Sequence, residues 1–444
     1  MIAKQLQFIN NYNKLEKKRC PYPTGILKVH LRQLEKNINK IKKFADKKAG
    51  KKLKFLLPVK GNGYGSGMIP ISKFVGQKKL CDYLGVEHLQ EAYELKKEGI
   101  KMPILILGQS FYTSEHIAYI VKNNIEQTVS DLKLLNELNT EAKKQNKIVK
   151  IHLNIDTGMG RLGILACDTS KFINNIKDCK NVRLAGVMTH FPVSDVPNSA
   201  DTEYTKQQIA DFNELKHAIC GHAMACPYLN NILFHASNSG GTLEYEAGLF
   251  DMIRPGIATY GYPELYGNGL SLGLKPIMEI TTQIALIKTY KKGASIGYGR
   301  TYTTKNGESI AIVPIGYADG LNRKLGNRMS KNSTKAIFVI PHLMRNPVSS
   351  ANFKISGSRV KRGMTIFKQT ATIIINGKNR QIAGRISMDQ FSVIVDKKSK
   401  IGDKVVIIGK GNTARDIADQ IGSIPYEVLC SFGNAKRLRH EWVY

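Results

Sequence analysis

Phe55-Leu-Leu-Pro-Val59, an apolar run that stops on Lys60-Gly-Asn-Gly-Tyr64-Gly, sets a pattern that the first half of the chain repeats. A short apolar run ends in Gly, Asn or Asp, and a longer amphipathic stretch follows. The run recurs at Tyr83–Val86, Ile104–Leu107, Ile125–Val129, Val149–Ile155, Leu184–Met188, Ile232–Phe234 and Met252–Pro255. Helical stretches such as Leu89–Glu98, Ser130–Gln145 and Thr202–Ile219 lie between. Strands alternating with helices predict a parallel sheet, and eight such units predict a closed, TIM-like (β/α)8 barrel of the α/β class. Leu31–Phe44 is amphipathic and opens the barrel with a helix. The barrel is placed at residues 23–265, behind a loosely attached extension, residues 1–22.

Residues 266–444 have a different texture and read as a C-terminal, mostly β domain. Ile280–Thr289, Ser309–Pro314, Ala336–Ile340, Ala371–Ile375 and Phe391–Val395 read as strands between Gly, Asn and Lys turns. A basic, weakly patterned insertion at about 323–368 either lines an entrance or, the preferred reading, elaborates the surface.

Composition narrows the class. A chain of 444 residues with 42% hydrophobic content can bury a full core in two or three domains. No run reaches the roughly 18–20 apolar residues of a membrane span. The first residues lack a signal-peptide core, so a cytoplasmic chain with no membrane partner is expected. Seven scattered cysteines, an odd number, argue against a disulfide framework. Cys220-Gly-His222 with Cys226 lacks a fourth zinc ligand, so no metal is expected. The net charge of +31 raises nucleic-acid binding. Its lysines, however, lie in small clusters such as Lys42-Lys43, Lys47-Lys48 and Lys51-Lys52, without interleaved aromatics. They read as a solvated surface, with no nucleic-acid partner.

In such a barrel the chemistry sits at the C-terminal ends of the strands. Lys60 ends the first run. It is either a lysine snorkelling from a strand edge or an amine in a partly desolvated mouth, able to form an imine with an aldehyde cofactor. His235-Ala-Ser-Asn238-Ser239-Gly-Gly follows the seventh run and Arg254-Pro-Gly256-Ile257 the eighth. Small residues, a hydroxyl and free N–H groups there suit a phosphate. Arg161, in Asn154-Ile-Asp156-Thr-Gly-Met-Gly-Arg161-Leu-Gly, and His190, in Thr189-His190-Phe191, join Arg254 at the mouth. A lone strand-end histidine is more often structural than catalytic. Two arginines suit a phosphate and a carboxylate.

Val59-Lys60-Gly-Asn-Gly-Tyr64-Gly-Ser-Gly resembles the cofactor-lysine signature of alanine racemases. The Asp156–Gly163, Thr189–Phe191, Asn238-Ser239 and Arg254–Ile257 segments follow in that family's order. So do Gly297-Tyr298-Gly-Arg-Thr-Tyr302, Pro314-Ile-Gly-Tyr317-Ala-Asp-Gly and Gly384-Arg-Ile-Ser-Met388-Asp389-Gln. The resemblance spans roughly residues 22–444. It implies a pyridoxal 5'-phosphate (PLP) enzyme that interconverts L- and D-alanine and supplies D-alanine for peptidoglycan. Lys60 would carry PLP as a Schiff base and serve as base on one face of the substrate, with Tyr298 on the other. His190 and Arg254 would support Tyr298, and Arg254 would also face the pyridine nitrogen. Tyr64, Ser239, Gly256 and Ile257 would bind phosphate beside Asn238. Arg161 would hold the substrate carboxylate, assisted by Met388. The resemblance also implies a head-to-tail homodimer in which Tyr298, Tyr317, Met388 and Asp389 reach the partner's site.

Two positions depart from the family. Asn154 stands where many alanine racemases carry a carbamylated lysine. It brings no negative charge to Arg161, which makes a bound chloride the expected replacement. Asn434 stands where the usual tyrosine lies near phosphate and the substrate side chain. A smaller wall there leaves serine or broad-specificity racemisation open. A PLP-binding carrier protein is the non-enzyme alternative, and the complete C-terminal domain argues against it.

Overall fold

In the computed structural model the described residues are 2–196, 198–223, 231–263, 267–326 and 371–444. Eight parallel strands follow one another around one sheet, and a ninth, Ile164–Leu165, pairs with Val149–Asp156 beside them. Their order is Met252–Ile253, Lys54–Pro58, Tyr83–Val86, Ile104–Ile106, Glu126–Val129, Val149–Asp156, Val182–Met188 and Leu233–His235. Backbone bonds from Asp251 N to Phe234 O (2.9 Å) and from Arg254 N to Ser237 O (2.9 Å) join the last strand to the first. The expected barrel is therefore present.

Its helices form for local reasons. Leu31–Ala49 buries Leu31, Leu34, Ile38, Ile41 and Ala45, a stripe at helical spacing, and ends on Gly50 in the left-handed region. Leu132–Lys144 starts where the Asp131 side chain accepts from Leu134 N. This is two residues later than the expected start at Ser130.

The second sheet has nine strands and takes its members from both ends of the chain. Leu286–Thr289, Ser309–Val313, Phe391–Val395, Lys378–Ala383, Thr372–Ile375, Lys404–Ile408, Met278–Gln283, Gly25–His30 and Leu438–Val443 lie in that order. Gly25–His30 pairs antiparallel with Met278–Gln283 and parallel with Leu438–Val443. A boundary at residue 23 therefore puts a strand of the β domain with the barrel. The expected strand Ile280–Thr289 is broken in two. Ile284 is buried, and its N–H and carbonyl bond Asp403 O and Gly402 N, turning the chain toward a different neighbour.

Residues 1–22 are not a loose extension in this structure. Ile2–Arg19 is a helix whose Ile9 is buried. Asn13 donates to Trp442 O (3.0 Å) and accepts from Trp442 N (3.0 Å). The helix thus covers the exposed edge of Leu438–Val443, where unpaired backbone groups would otherwise face solvent. The strand expected at Ala336–Ile340 and most of the 323–368 insertion lie outside the described residues. So does Cys226 of the Cys220/His222/Cys226 group. Among the described residues no cluster of metal-ligating side chains occurs, and no helix is long and apolar enough to cross a membrane.

Candidate active site

The strand Lys54–Pro58 delivers Lys60 to the barrel mouth, and the backbone then makes one left-handed turn. Gly61, Asn62, Gly63, Tyr64 and Gly65 all have φ between 51° and 78°. Glycine at alternate positions makes such a turn tolerable, since non-glycine residues there cost roughly 1 kcal/mol or more each. Asn62 Oδ1 accepts from Met68 N (3.0 Å), and Glu91 Oε1 accepts from Gly61 N (2.7 Å), which fixes both ends of the turn.

Lys60 opens into a cavity of about 550 Å³. Its lining includes Tyr64, Asn154, Arg161, His190, Asn238, Ser239, Arg254 and Gly256, which the sequence reading singled out. Ile257, also expected, is buried in the same loop as Gly256. Tyr64 is held between Tyr260 and Tyr426, at ring-centre distances of 4.6 and 5.7 Å. Burial raises its hydroxyl well above the ordinary phenol range, so it stays a hydrogen-bond donor. A Cβ on Gly256 would come closer than 3.0 Å to Tyr64 Oη, so glycine keeps a recess open there. Ser239 Oγ accepts from Ala258 N (3.1 Å), and Asn238 Oδ1 accepts from Gly241 N (2.9 Å). Hydroxyl, phenol and glycine loop thus meet at one end of the cavity.

Arg254 is buried, and its four side-chain bonds all leave from Nη1 and Nη2. Nη1 meets His235 Nδ1 (2.8 Å), and Nη2 donates to Thr189 O (2.7 Å) and Ala236 O (2.9 Å) and meets His190 Nδ1 (3.4 Å). Nε has no protein partner among the described residues. Burial lowers this guanidinium to about 9, which leaves it charged at neutral pH. Burial first, then Arg254, Arg161 and Lys60, lowers His190 to about 3. His190 is therefore a neutral imidazole. If Nδ1 accepts from Arg254, its proton sits on Nε2. Behind Arg254 a buried chain continues from His235 Nε2 to His152 Nδ1 (2.8 Å) and from His152 Nε2 to Glu126 Oε2 (2.9 Å).

Four expected site residues do not enter this cavity. Tyr298, Tyr317 and Met388 are 67%, 43% and 52% exposed, and Asp389 is exposed beside them. They share one face of the β domain. Tyr317 N donates to Ser387 O (3.1 Å) and Ala318 N to Met388 O (3.0 Å), and the turn carrying Tyr298 packs Gly299 near Arg385. Arg437, which the sequence alone does not single out, joins the Tyr317 and Met388–Asp389 loops of this face. It donates to Asp319 at 2.8 and 2.9 Å and to Asp389 at 2.6 Å. Asn434 is exposed at the end of the helix Pro425–Gly433, and the cavity wall on that side is Tyr426 and Cys430.

A lysine at the mouth of a (β/α)8 barrel, an anion recess after the last two strands and an appended β domain define a class of enzyme that binds a phosphorylated aldehyde. The model of the alanine racemase N-terminal domain matches residues 29–264, and that of the C-terminal domain matches residues 277–339 and 360–440. The alanine racemase of Treponema denticola is 36% identical over 415 residues, 90% of this chain and 94% of its own. The alanine racemase structure from Clostridium difficile 630 superposes with a TM-score of 0.73 at 30% identity, covering 92% of this chain and 93% of that one. The alanine racemase of Bacillus anthracis, solved with bound L-Ala-P, gives 0.72 at 28% identity and 93% coverage of both chains. The chain belongs to the alanine racemase family. Its activity is the pyridoxal-phosphate-dependent racemisation of alanine.

Proposed function

We propose that racemisation runs between Lys60 and a Tyr298 supplied by a second copy of the chain, on opposite faces of the substrate. The observation behind this is that the cavity holds Lys60 while Tyr298 stands exposed on the β domain, away from it. The residues present fit PLP. Gly256 leaves a recess under Tyr64 Oη, Ser239 adds a hydroxyl, and Arg254 Nε remains for a ligand. Tyr64, Ser239, Gly256 and Ile257, steadied by Asn238, would hold the phosphate, and Lys60 the aldehyde carbon. When bound, PLP supplies the electron sink that makes the substrate's Cα–H acidic.

The chain's own groups do the rest. Lys60 takes or returns the Cα proton on one face, and the Tyr298 hydroxyl does so on the other. The neutral His190, with Nε2–H free, suits a hydrogen bond to that phenol oxygen as it loses its proton. Arg254 gives up no proton to a ring nitrogen. This keeps the sink weak and disfavours transamination. Arg161 pairs with the substrate carboxylate, joined by the Met388 backbone, and Tyr317 and Asp389 complete the wall from the second copy.

Asn154 and Arg161 both line the cavity, and neither side chain has a hydrogen-bond or ion-pair partner among the described residues. A chloride ion between amide and guanidinium fits this arrangement. A chloride titration that leaves activity unchanged would count against it. Alanine is the substrate, and serine is a second one if the wall near Asn434 is as open as its side chain allows. A serine kcat/KM about a thousandfold lower, on the order of 4 kcal/mol, removes that reading. A cytoplasmic location belongs to the same proposal.

The decisive experiment mixes two inactive variants, Lys60→Ala and Tyr298→Phe. A head-to-tail dimer with shared sites regains one intact site per mixed dimer, about a quarter of wild-type activity at random assembly. No recovery on mixing, with dimer exchange verified, refutes the shared site.

A further inference from the structure

The strand register places an acid against the cofactor lysine. Lys54–Pro58 and Tyr83–Val86 run parallel with Pro58 opposite Gly85. Side chains alternate along strands, so residues two beyond that pair, Lys60 and Glu87, leave the two neighbouring strands on the same side. Lys60 Nζ lies 2.8 Å from Glu87 Oε2, a charge-assisted hydrogen bond. Neighbouring groups fix the position. Glu91 Oε2 accepts from Glu87 N (2.8 Å) and His88 N (3.2 Å), fixing the Glu87 backbone. Two residues past the neighbouring strand Ile104–Ile106, a Cβ on Gly108 would lie 2.8 Å from Glu87 Oε1, so a glycine leaves the space this carboxylate uses.

The other carboxylates of the cavity are committed elsewhere. Asp156 Oδ1 accepts from Gly158 N (2.8 Å), Met159 N (2.8 Å) and Gly160 N (3.1 Å), and its Oδ2 accepts from Gly160 N (2.9 Å). Glu91 serves Gly61, Glu87 and His88 through their backbone N–H groups. Three cations, Lys60, Arg161 and Arg254, line the same space, and Asn154 contributes no charge. Among the described residues Glu87 is the cavity carboxylate that touches one of them.

We propose that Glu87 is a positioning residue for Lys60, holding its amine at the mouth between the two strands whenever that amine is not bonded to the cofactor. This rests on Lys60 being the cofactor lysine. The amine is free before the cofactor arrives, and again each time substrate takes its place. At those moments the repulsion of two arginines would drive it out of line, and the carboxylate holds it where a proton is to be moved. The amine held this way is also less available as a nucleophile.

Competitive acetylation of the cofactor-free enzyme by trace acetic anhydride reads the first property. Reactivity of Lys60 relative to exposed Lys133 should rise at least threefold in Glu87→Gln, which keeps the shape and removes the charge. Glu87→Asp should stay within twofold of wild type. In the loaded enzyme, kcat/KM of Glu87→Gln should fall tenfold or more for both alanine enantiomers, because their equilibrium is symmetric. The primary Cα-deuterium isotope effect should rise only for the enantiomer whose proton Lys60 removes, whereas a general disturbance of the fold moves both. Unchanged acetylation, or isotope effects that move together, overturn the inference. Borohydride reduction of the wild-type holoenzyme followed by peptide mapping keeps the two readings apart. A label on another lysine overturns both, and a label on Lys60 with an unaltered Glu87→Gln enzyme overturns this one alone.

Discussion

Gly256→Ala tests the phosphate recess with a single methyl group. The new Cβ would lie under 3.0 Å from Tyr64 Oη and 3.2 Å from Tyr64 Cζ. Tyr64 has little room to retreat, because Tyr260 and Tyr426 pack its ring at 4.6 and 5.7 Å. Forcing a methyl into such a space costs about 1–3 kcal/mol. The hydroxyl turns off the phosphate to relieve it, forfeiting a charged hydrogen bond worth about 1.5–3 kcal/mol. PLP affinity should therefore fall roughly ten- to a hundredfold. Tyr64→Phe loses the same bond and should weaken PLP by a similar factor. In the double variant the oxygen that the methyl meets is already gone, so alanine at 256 should cost less than about threefold more, a coupling on the order of 1 kcal/mol. The assay is titration of cofactor-free enzyme with PLP, read by visible absorbance. Thermal unfolding of the same samples separates loss of fold from loss of binding. If the two single losses multiply in the double variant, or if Gly256→Ala binds PLP within about twofold of wild type, Tyr64 and Gly256 do not form one recess.

Acid should weaken the fold through the two buried histidines. His190 and His235 both titrate below their unfolded value, chiefly through burial and then through nearby cations. They stay neutral in the folded chain while the unfolded chain takes up protons below about pH 6.5. Their contribution is complete above that pH and falls by about 1.4 kcal/mol per histidine per pH unit as pH drops toward the folded values. Urea unfolding of the cofactor-free enzyme at pH 7.5 and 5.5 should show this loss, and His190→Asn should remove about one proton of the slope. Equal stability at both pH values would exclude it. Arg437→Ala should cost about 1–3 kcal/mol, because it strips a partner from the fully buried Asp319. It should also lower kcat/KM more than about tenfold while PLP affinity holds, since Arg437 braces the Tyr317 and Met388–Asp389 loops and not the cavity. A loss of PLP binding in place of turnover would refute that division.

What the sequence disclosed follows from the range of the interactions involved. Tyr83–Val86 and Phe391–Val395 have the bounds read from their apolar runs, because flanking turn residues and β-branched content are local signals. Gly25–His30 and Leu438–Val443 pair with each other across more than four hundred residues, and neither carries a strong pattern of its own. The helix Ile2–Arg19 was obscure for the same reason, since the edge it covers is made by the other end of the chain. Lys60, His190 and Arg254 were legible because strand ends in a barrel converge by geometry alone. Glu87 was not. In the sequence Glu87 falls between the run Tyr83–Val86 and the helical stretch Leu89–Glu98, and only the register of Pro58 against Gly85 turns it toward Lys60. Tyr298, Tyr317 and Met388 came from family resemblance, since nothing in their spacing ties them to a barrel mouth in their own chain.

The β domain acts on the site in two directions, and the left-handed lysine turn shows how. Gly65 and Gly433 meet backbone to backbone, and a Cβ on Gly433 would strike the Gly65 main chain. A Cβ on Gly65 would strike Leu429 O. The helix Pro425–Gly433 thus backs the loop that presents Lys60, and Tyr426 and Cys430 of that helix line the cavity directly. Within one chain the domain is therefore a buttress for the loop that carries Lys60. On the other side, Arg437 at the far end of the same short segment, just before the strand Leu438–Val443, bonds Asp319 and Asp389 and so joins the Tyr317 and Met388 loops. A twelve-residue stretch from Tyr426 to Arg437 thus touches both the cavity and the Tyr317 and Met388–Asp389 loops. On the proposed two-base reading, a barrel alone, even one that bound PLP through Lys60, would lack both the support of the first base and the source of the second. This is a physical reason for the activity to require the whole chain and, on the shared-site reading, two copies of it.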